Sequence, residues 1–167
     1  MPVKHNYYPR GNGLQDLRYC TDIIALDVGH MNITNCDFVA YMPHLQYLLM
    51  ADTPIRDLTP LTGLKELIYL EIFMTSVSDF SPLVTCTSLQ DLNVCWTYGK
   101  PDEIKEMTWL KNLWWCGISG YGVQLLHEAL PDTRLEYGFT SSTGGGWRQL
   151  ENYYAQRDLF GMRYMKG

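Results

Sequence analysis

Apolar residues recur along this chain in a pattern longer than any single secondary-structure element. From Ile23 onward, short stretches place apolar residues at alternating positions, as in LQYLLM, which is the spacing of a β-strand. Five such stretches start at residues 23, 45, 67, 89 and 110, so they are separated by 22, 22, 22 and 21 residues. A strand this short cannot bury its apolar face alone. The pattern therefore predicts one strand per repeat, stacked in parallel on the next.

The second half of each repeat must return the chain to the start of the following strand. The stretches RDLTPLTGLK and SDFSPLVTCT carry Pro60 and Pro82 at matching positions, followed by Leu61 and Leu83. Proline removes a backbone donor and disfavours a long regular helix. We therefore expect short 3₁₀ or irregular turns opposite the strands.

The repeats follow the template L-x-x-L-x-L-x-x-N/T-x-I. They resemble the leucine-rich-repeat family, and the spacing together with DLTPL and DFSPL is most similar to the bacterial internalin-type class, over about residues 14 to 140. This resemblance implies an α/β fold: a right-handed leucine-rich-repeat solenoid with one parallel sheet on its concave face and short 3₁₀ or irregular turns on its convex face. It also implies a role in interaction rather than catalysis, and an extracellular or cell-surface location. Thr53, Thr75 and Thr97 stand where many members carry asparagine, which implies hydrogen bonds to backbone across neighbouring turns.

We expect one domain with three parts. Residues 1–22 form an N-terminal lead-in and partial repeat, and residues 23–140 form about five full repeats and one degenerate repeat, in which Leu135, Tyr137 and Thr140 are in phase. Residues 141–167 form a capping segment, with a glycine loop before Trp147 and a helix over about residues 150–160. The apolar side chains of that helix lie near one face, which predicts that it docks on the last repeat.

Strand alternation leaves the residues between and after the core positions on the concave face. Large apolar side chains are not needed there for the core, and an exposed aromatic patch usually marks an interaction site. The alternative is that these aromatic side chains only pack on one another across the strands. The residues predicted to bind a partner are Tyr47, Leu49, Tyr69, Glu71, Phe73, Met74, Asn93, Trp96 and Trp114.

Composition narrows the possible partners. The net charge is −5 and no run of basic residues occurs, which argues against nucleic acid as a partner. No apolar stretch reaches the roughly 20 residues of a membrane span, and the start of the chain lacks the apolar region of a signal peptide. The five cysteines are widely spaced and odd in number, so we expect free thiols. We expect a monomer.

The sequence carries no recognisable catalytic or metal-binding motif. Its four histidines lack metal-ligand spacing, and nothing positions a sugar between Glu71 and Asp91, the one carboxylate pair on neighbouring strands that resembles a glycosidase arrangement. We therefore predict no catalytic residue, no metal and no cofactor. The predicted function is a non-catalytic protein- or peptide-binding module that uses its concave face. The alternatives are a glycan-binding surface or a structural spacer within a larger bacterial surface protein.

Overall fold

A computed structural model describes residues 17–138 and 141–162 of the chain. Most of the predicted lead-in, Thr140 of the degenerate repeat and the last five residues of the predicted capping segment therefore lie outside the described residues. The statements below concern the described ranges.

The strands form one open, parallel, six-stranded sheet whose order follows the chain. Each strand is three residues long, and equivalent residues of successive repeats are paired: Tyr47 lies beside Tyr69, and Leu48 beside Leu70. The strands are β1 (Ala25–Asp27), β2 (Tyr47–Leu49), β3 (Tyr69–Glu71), β4 (Asp91–Asn93), β5 (Asn112–Trp114) and β6 (Arg134–Glu136). The predicted one-strand-per-repeat stack is confirmed.

Alternation along the strands divides the buried apolar side chains into two separate clusters. The first is the solenoid core, which the central residue of each of the first five strands enters: Leu26, Leu48, Leu70, Leu92 and Leu113. Cys86 also lies in this core, and Cys20 packs against it. The flanking strand residues, among them Tyr69 and Trp114, belong to the second cluster on the concave side.

The convex side is built mainly from short 3₁₀ turns, as predicted. They span Asp37–Tyr41, Thr59–Leu61, Ser81–Thr85 and Pro101–Glu103, and the last three have proline in their first turn. The last repeat differs, because there the chain forms a ten-residue helix, α1 (Gly120–Ala129). This stretch contains no proline, and the Ser119 hydroxyl caps its start by accepting a hydrogen bond from the Gly122 backbone N–H at 3.1 Å. The residues of this helix thus explain why one regular helix replaces a short turn.

The three repeat threonines bond differently from what the family resemblance implies. The hydroxyls of Thr53, Thr75 and Thr97 donate to the carbonyl three residues earlier in the same repeat, at 2.6–2.7 Å. The bonds between neighbouring turns are made by backbone instead, as from the Ser76 N–H to the Ile55 carbonyl at 3.1 Å. A threonine hydroxyl is too short to replace the longer asparagine amide, so it satisfies a carbonyl within its own repeat.

Replacing Thr75 by valine should destabilise the solenoid by about 1–2 kcal/mol. Thr75 is buried, and the isosteric valine leaves the Ile72 carbonyl without its hydroxyl donor. Urea unfolding followed by circular dichroism measures the loss. The matched control is Thr62→Val at an exposed position, for which we expect a change within about 0.5 kcal/mol. Equal midpoints for Thr75→Val and the wild type would contradict the assignment.

Candidate functional site

The concave face is covered by the chain's own C-terminal segment. We call residues 141–162 the cover segment; it contains a 3₁₀ turn, Trp147–Gln149, and a helix, α2 (Glu151–Leu159). Sequence patterning predicts that this helix docks on the last repeat. The segment instead lies over the concave face of the sheet. Trp147 packs between Tyr69 of β3 and Trp114 of β5, and Leu150 and Tyr153 belong to the same buried cluster. The physical reason is the group of large apolar side chains that the strands place on the concave face, which the segment buries.

The cover divides the predicted binding residues into two groups. Two of them, Met74 and Trp96, are 51% and 47% exposed. The other seven are buried, each 8% exposed or less: Tyr47, Leu49, Tyr69, Glu71, Phe73, Asn93 and Trp114. The solenoid does bring all nine to one side of the sheet, but most of them contact the chain itself.

Trp147 anchors the cover segment. Its side chain is 0% exposed, and its ring centroid lies 5.1 Å from that of Tyr69 and 5.2 Å from that of Trp114. Its indole Nε1–H donates to Glu71 Oε1 at 2.7 Å, and the same oxygen accepts a hydrogen bond from the Tyr69 hydroxyl. A buried indole needs a partner for its N–H, and the carboxylate supplies one. Glu71 thus fixes both the depth and the orientation of the anchor.

A glycine turn delivers Trp147 to this position. Gly145 and Gly146 have φ angles of 61° and 91°, a left-handed conformation that residues with a Cβ rarely adopt. The Gly144 N–H donates to the Ser141 carbonyl at 2.9 Å, which closes the loop before the tryptophan. The three successive glycines therefore form a tight turn here.

Main-chain carbonyls of the cover segment receive side-chain donors from the sheet. Asn93 Nδ2 donates to the Ser142 carbonyl at 2.7 Å and Trp114 Nε1 to the Gly144 carbonyl at 2.8 Å. The Arg134 guanidinium, whose carbon lies 4.9 Å from the centre of the Trp114 ring, donates to the Gly145 carbonyl at 2.9 Å. These bonds recognise backbone, so they do not depend on which side chains the segment carries.

A second polar contact holds the helix α2. Asp91 Oδ2 accepts from Asn152 Nδ2 at 3.0 Å, and its Oδ1 accepts from Asn112 Nδ2 at 2.7 Å. Asp91 therefore links a β5 side chain to the cover segment. Like Glu71, Asp91 is thus bonded to one donor from the sheet and one from the cover segment.

Burial under the cover changes the protonation equilibria of the concave carboxylates. Desolvation raises the pKa of Glu71, although hydrogen bonds from Tyr69 and Trp147 oppose that rise. Desolvation likewise raises the pKa of Asp91, opposed by the two asparagine donors. The Tyr69 hydroxyl has its pKa raised well above the ordinary value, first by desolvation and then by the neighbouring Glu71 charge. Covering the face therefore has an electrostatic cost.

Gln156 of α2 adds a further cost. Its side chain is 0% exposed, and neither its amide nitrogen nor its amide oxygen has a hydrogen-bond partner among the described residues. A buried amide without partners costs about 1–3 kcal/mol relative to one that is satisfied. The contact between cover and sheet is thus less well satisfied than the solenoid core.

The cysteines are free, as predicted. Cys95 and Cys116 lie two residues after the ends of β4 and β5, and both belong to the concave cluster. The Cys116 backbone N–H donates a hydrogen bond to Cys95 Sγ at 3.0 Å. Desolvation raises the pKa of both thiols, so neither is an activated nucleophile at neutral pH.

Met74 and Trp96 share one position of the repeat, three residues after the last residue of β3 and of β4. Both have positive φ angles, 57° and 58°, as do His30 and Asp52 in the two preceding repeats. Together with Tyr98, which is 72% exposed, they line a groove of about 630 Å³ whose other wall includes Ser141 and Ser142 of the cover segment. Met74 and Trp96, the two predicted binding residues that the cover segment leaves exposed, thus line this groove.

Within residues 17–138 and 141–162, no group of three histidine, cysteine or acidic side chains is placed to hold a metal ion. His30 Nδ1 lies 3.0 Å from Asp52 Oδ2 in a well-exposed pair. No helix in the same ranges is long and apolar enough to cross a bilayer.

Sequence reasoning missed the part that the cover segment contributes to the site. Trp147 and Asn152 lie 76 and 61 residues from the carboxylates they contact, so no local pattern connects them. One signal was available: Glu71, Asp91 and Asn93 occupy a sheet face otherwise rich in aromatic residues. Polar groups among aromatic side chains need partners, and a tryptophan after three glycines supplies an indole N–H.

The fold is similar to that of two solved leucine-rich-repeat structures. An internalin, inlF, from Listeria monocytogenes matches 77% of this chain at 21% identity with a TM-score of 0.60. A leucine-rich-repeat protein from Leptospira interrogans matches 78% at 20% identity with a TM-score of 0.66. The matches cover only 40% and 34% of those chains. The chain thus has the leucine-rich-repeat fold in an internalin-like form, as the repeats predict.

No protein-family model matches the sequence, and no curated protein is significantly similar to it.

Replacing Glu71 by glutamine should weaken the gain in stability on acidification. A carboxyl whose pKa is higher in the folded state than in the unfolded state adds stability that is complete below the unfolded pKa. That contribution is lost as the pH rises through the folded pKa. We therefore expect wild-type protein to gain more unfolding free energy between pH 7 and about pH 4, below the unfolded pKa, than Glu71→Gln. Asp27 and Asp91, whose pKa values are also raised, still contribute in both proteins. Urea unfolding at the two pH values measures this, and equal gains would contradict it.

Replacing Gln156 by methionine should stabilise the protein by about 1 kcal/mol. Methionine has nearly the same shape but removes the buried amide, which has no hydrogen-bond partner in the described part of the chain. Thermal and urea unfolding of the variant measure the gain. The control is Gln149→Met at an exposed position, for which no gain is expected. A clear loss of stability in Gln156→Met would show that the amide is satisfied.

Proposed function

We propose that this protein is a non-catalytic leucine-rich-repeat module that binds a protein or peptide partner. The contact surface proposed is the groove bounded by Met74, Trp96 and Tyr98, which we call the rim groove. The observation that carries the proposal is the adjacency of three large, exposed apolar side chains on two successive repeats. Isolated exposed apolar residues are ordinary, whereas a contiguous group beside a groove is typical of an interaction site.

Backbone conformation supports this choice. A left-handed conformation costs roughly 1–2 kcal/mol for a residue other than glycine, and the equivalent position in the fifth repeat is Gly117. Met74 and Trp96 accept that cost without being buried in return. A partner that packs on their side chains is a physical reason for having them at this position.

The chemistry of the groove favours a polypeptide. Methionine adapts its shape to different apolar surfaces, and tryptophan and tyrosine are enriched at the centres of protein interfaces. Polar groups of Ser76, Ser141 and Ser142 border the apolar part and can bond to a peptide backbone. An apolar centre with a polar edge is the usual anatomy of such contacts.

A glycan is the second candidate. The Trp96 and Tyr98 side chains are exposed beside serine hydroxyls, and this combination also suits the apolar faces and hydroxyls of sugars. The third candidate, a spacer with no ligand of its own, gives no reason for the exposed rings. The matched part is less than half of each of the two similar solved structures.

The test is a selection of peptides from a random display library on the purified protein. Selected peptides should bind the double variant Met74→Ala/Trp96→Ala at least about 10-fold more weakly than wild type, because the two anchors of the groove are lost. The control variant is Tyr121→Ala, which removes a 67% exposed tyrosine from α1. It should leave affinity unchanged.

A glycan array probed with the same proteins separates the candidates. Glycan binding lost in the double variant, together with peptides that bind both proteins equally, would replace the peptide proposal by the glycan one. Absence of any ligand on either platform would favour the spacer.

A further inference from the structure

The seven covered concave residues form a surface that the rim groove does not use. We infer that this covered surface is itself a peptide-binding site, with the cover segment as its internal ligand. The partner it fits is a polypeptide segment that presents a tryptophan directly after glycine-sized residues and continues as a short helix. This goes beyond the proposed function, because it concerns a different surface, and each can fail without the other.

The first step of the argument is that the solenoid does not need the cover for its own core. The central strand residues and the convex turns form one cluster, and the concave side chains and the cover segment form another. The two clusters are separated by the sheet. Removing the cover would expose the second cluster and leave the first intact.

The second step is that backbone groups and one side chain of the cover segment make different kinds of contact with the sheet. Three main-chain carbonyls, those of Ser142, Gly144 and Gly145, accept bonds from sheet side chains, while one side chain, Trp147, fills a deep position. The backbone contacts hold the glycine turn whatever side chains flank it, and the buried position of Trp147 supplies specificity. The same division is found wherever a folded surface reads a peptide.

The third step is the chemistry of the anchor. A tryptophan is selected over phenylalanine because Glu71 accepts its indole N–H at 2.7 Å, a bond that a benzyl ring cannot make. The preceding residues must be glycine-like, because Gly145 and Gly146 have left-handed φ angles of 61° and 91° that residues with a Cβ rarely adopt. The partner sequence is therefore defined more closely than an aromatic peptide in general.

The fourth step concerns stability. The contact buries two carboxylates with raised pKa values and the Gln156 amide, which has no partner among the described residues. A core under selection for stability alone has no use for these groups. A surface that must release one segment and accept another tolerates them.

The experiment uses the full chain with a specific protease site inserted after Thr140, so that the cover segment is freed from its tether without being removed. A fluorescent peptide of residues 141–162 is then added and its anisotropy measured. We expect saturable 1:1 binding to the cut protein. Binding to the uncut protein should be at least about 100-fold weaker, because a short tether holds the internal segment at an effective concentration in the millimolar range.

The matched control peptide carries Trp147→Ala and should bind at least about 30-fold more weakly, since a buried tryptophan anchor typically contributes that much. A Trp147→Phe peptide should also bind less tightly. The Tyr121→Ala variant of the cut protein, which is changed at an exposed position of α1 outside the contact, should bind the peptide as the unsubstituted cut protein does.

Three outcomes would overturn the inference. The cut protein could unfold or aggregate when diluted, which would make the cover an essential part of the fold. It could stay folded and never exchange its segment for the labelled peptide. It could also bind the wild-type and Trp147→Ala peptides equally, in which case Trp147 is not the anchor.

Discussion

The rest of this structure depends on one constraint: a β-strand has two faces, and a solenoid core uses only one of them. Every repeat turns its central strand residue inward, so the flanking residues must be on the concave side whatever their chemistry. Here those residues include Tyr69, Phe73 and Trp114, which are too large and apolar to remain in water without a cost. Something must cover them, and in this chain the C-terminal segment does so through Trp147.

That cover is a compromise between apolar burial and polar satisfaction. The rings of the concave face gain from removal from water, but Glu71 and Asp91 are buried with them. Each carboxylate is held by donors from both sides of the contact: Tyr69 and Trp147 for Glu71, Asn112 and Asn152 for Asp91. Such groups add little to stability compared with apolar packing, but they require a particular alignment of the segment. The polar residues thus determine where the segment lies, while the aromatic residues provide the driving force.

The periodic part of the molecule could be predicted from sequence because its contacts repeat at a fixed distance along the chain. Leu48 and Leu70 pair because they are one repeat apart, and Pro60 and Pro82 limit the convex turns for local reasons. The cover could not be predicted in the same way. Trp147 contacts Glu71 across 76 residues with no period linking them, and a helix such as α2 with an apolar side shows only that it packs, not on what. Residue spacing placed Met74 and Trp96 on the correct side, but their exposure depends on where the cover stops.

The position at which the cover stops connects the two proposed surfaces. Ser142 lines the rim groove beside Met74 and Trp96, and its carbonyl accepts the hydrogen bond from Asn93 at the covered surface. Ser141 also lines the groove, and its carbonyl accepts a hydrogen bond from the Cys116 thiol. A partner in the rim groove must therefore contact the first residues of the cover. A groove partner that binds while the Ser142 carbonyl stays bonded to Asn93 stabilises the covered state. A partner that binds Ser142 in another position favours release of the cover segment from the concave face. Thermodynamic linkage makes the effect reciprocal, so a peptide on the concave face would change affinity at the groove by the same factor.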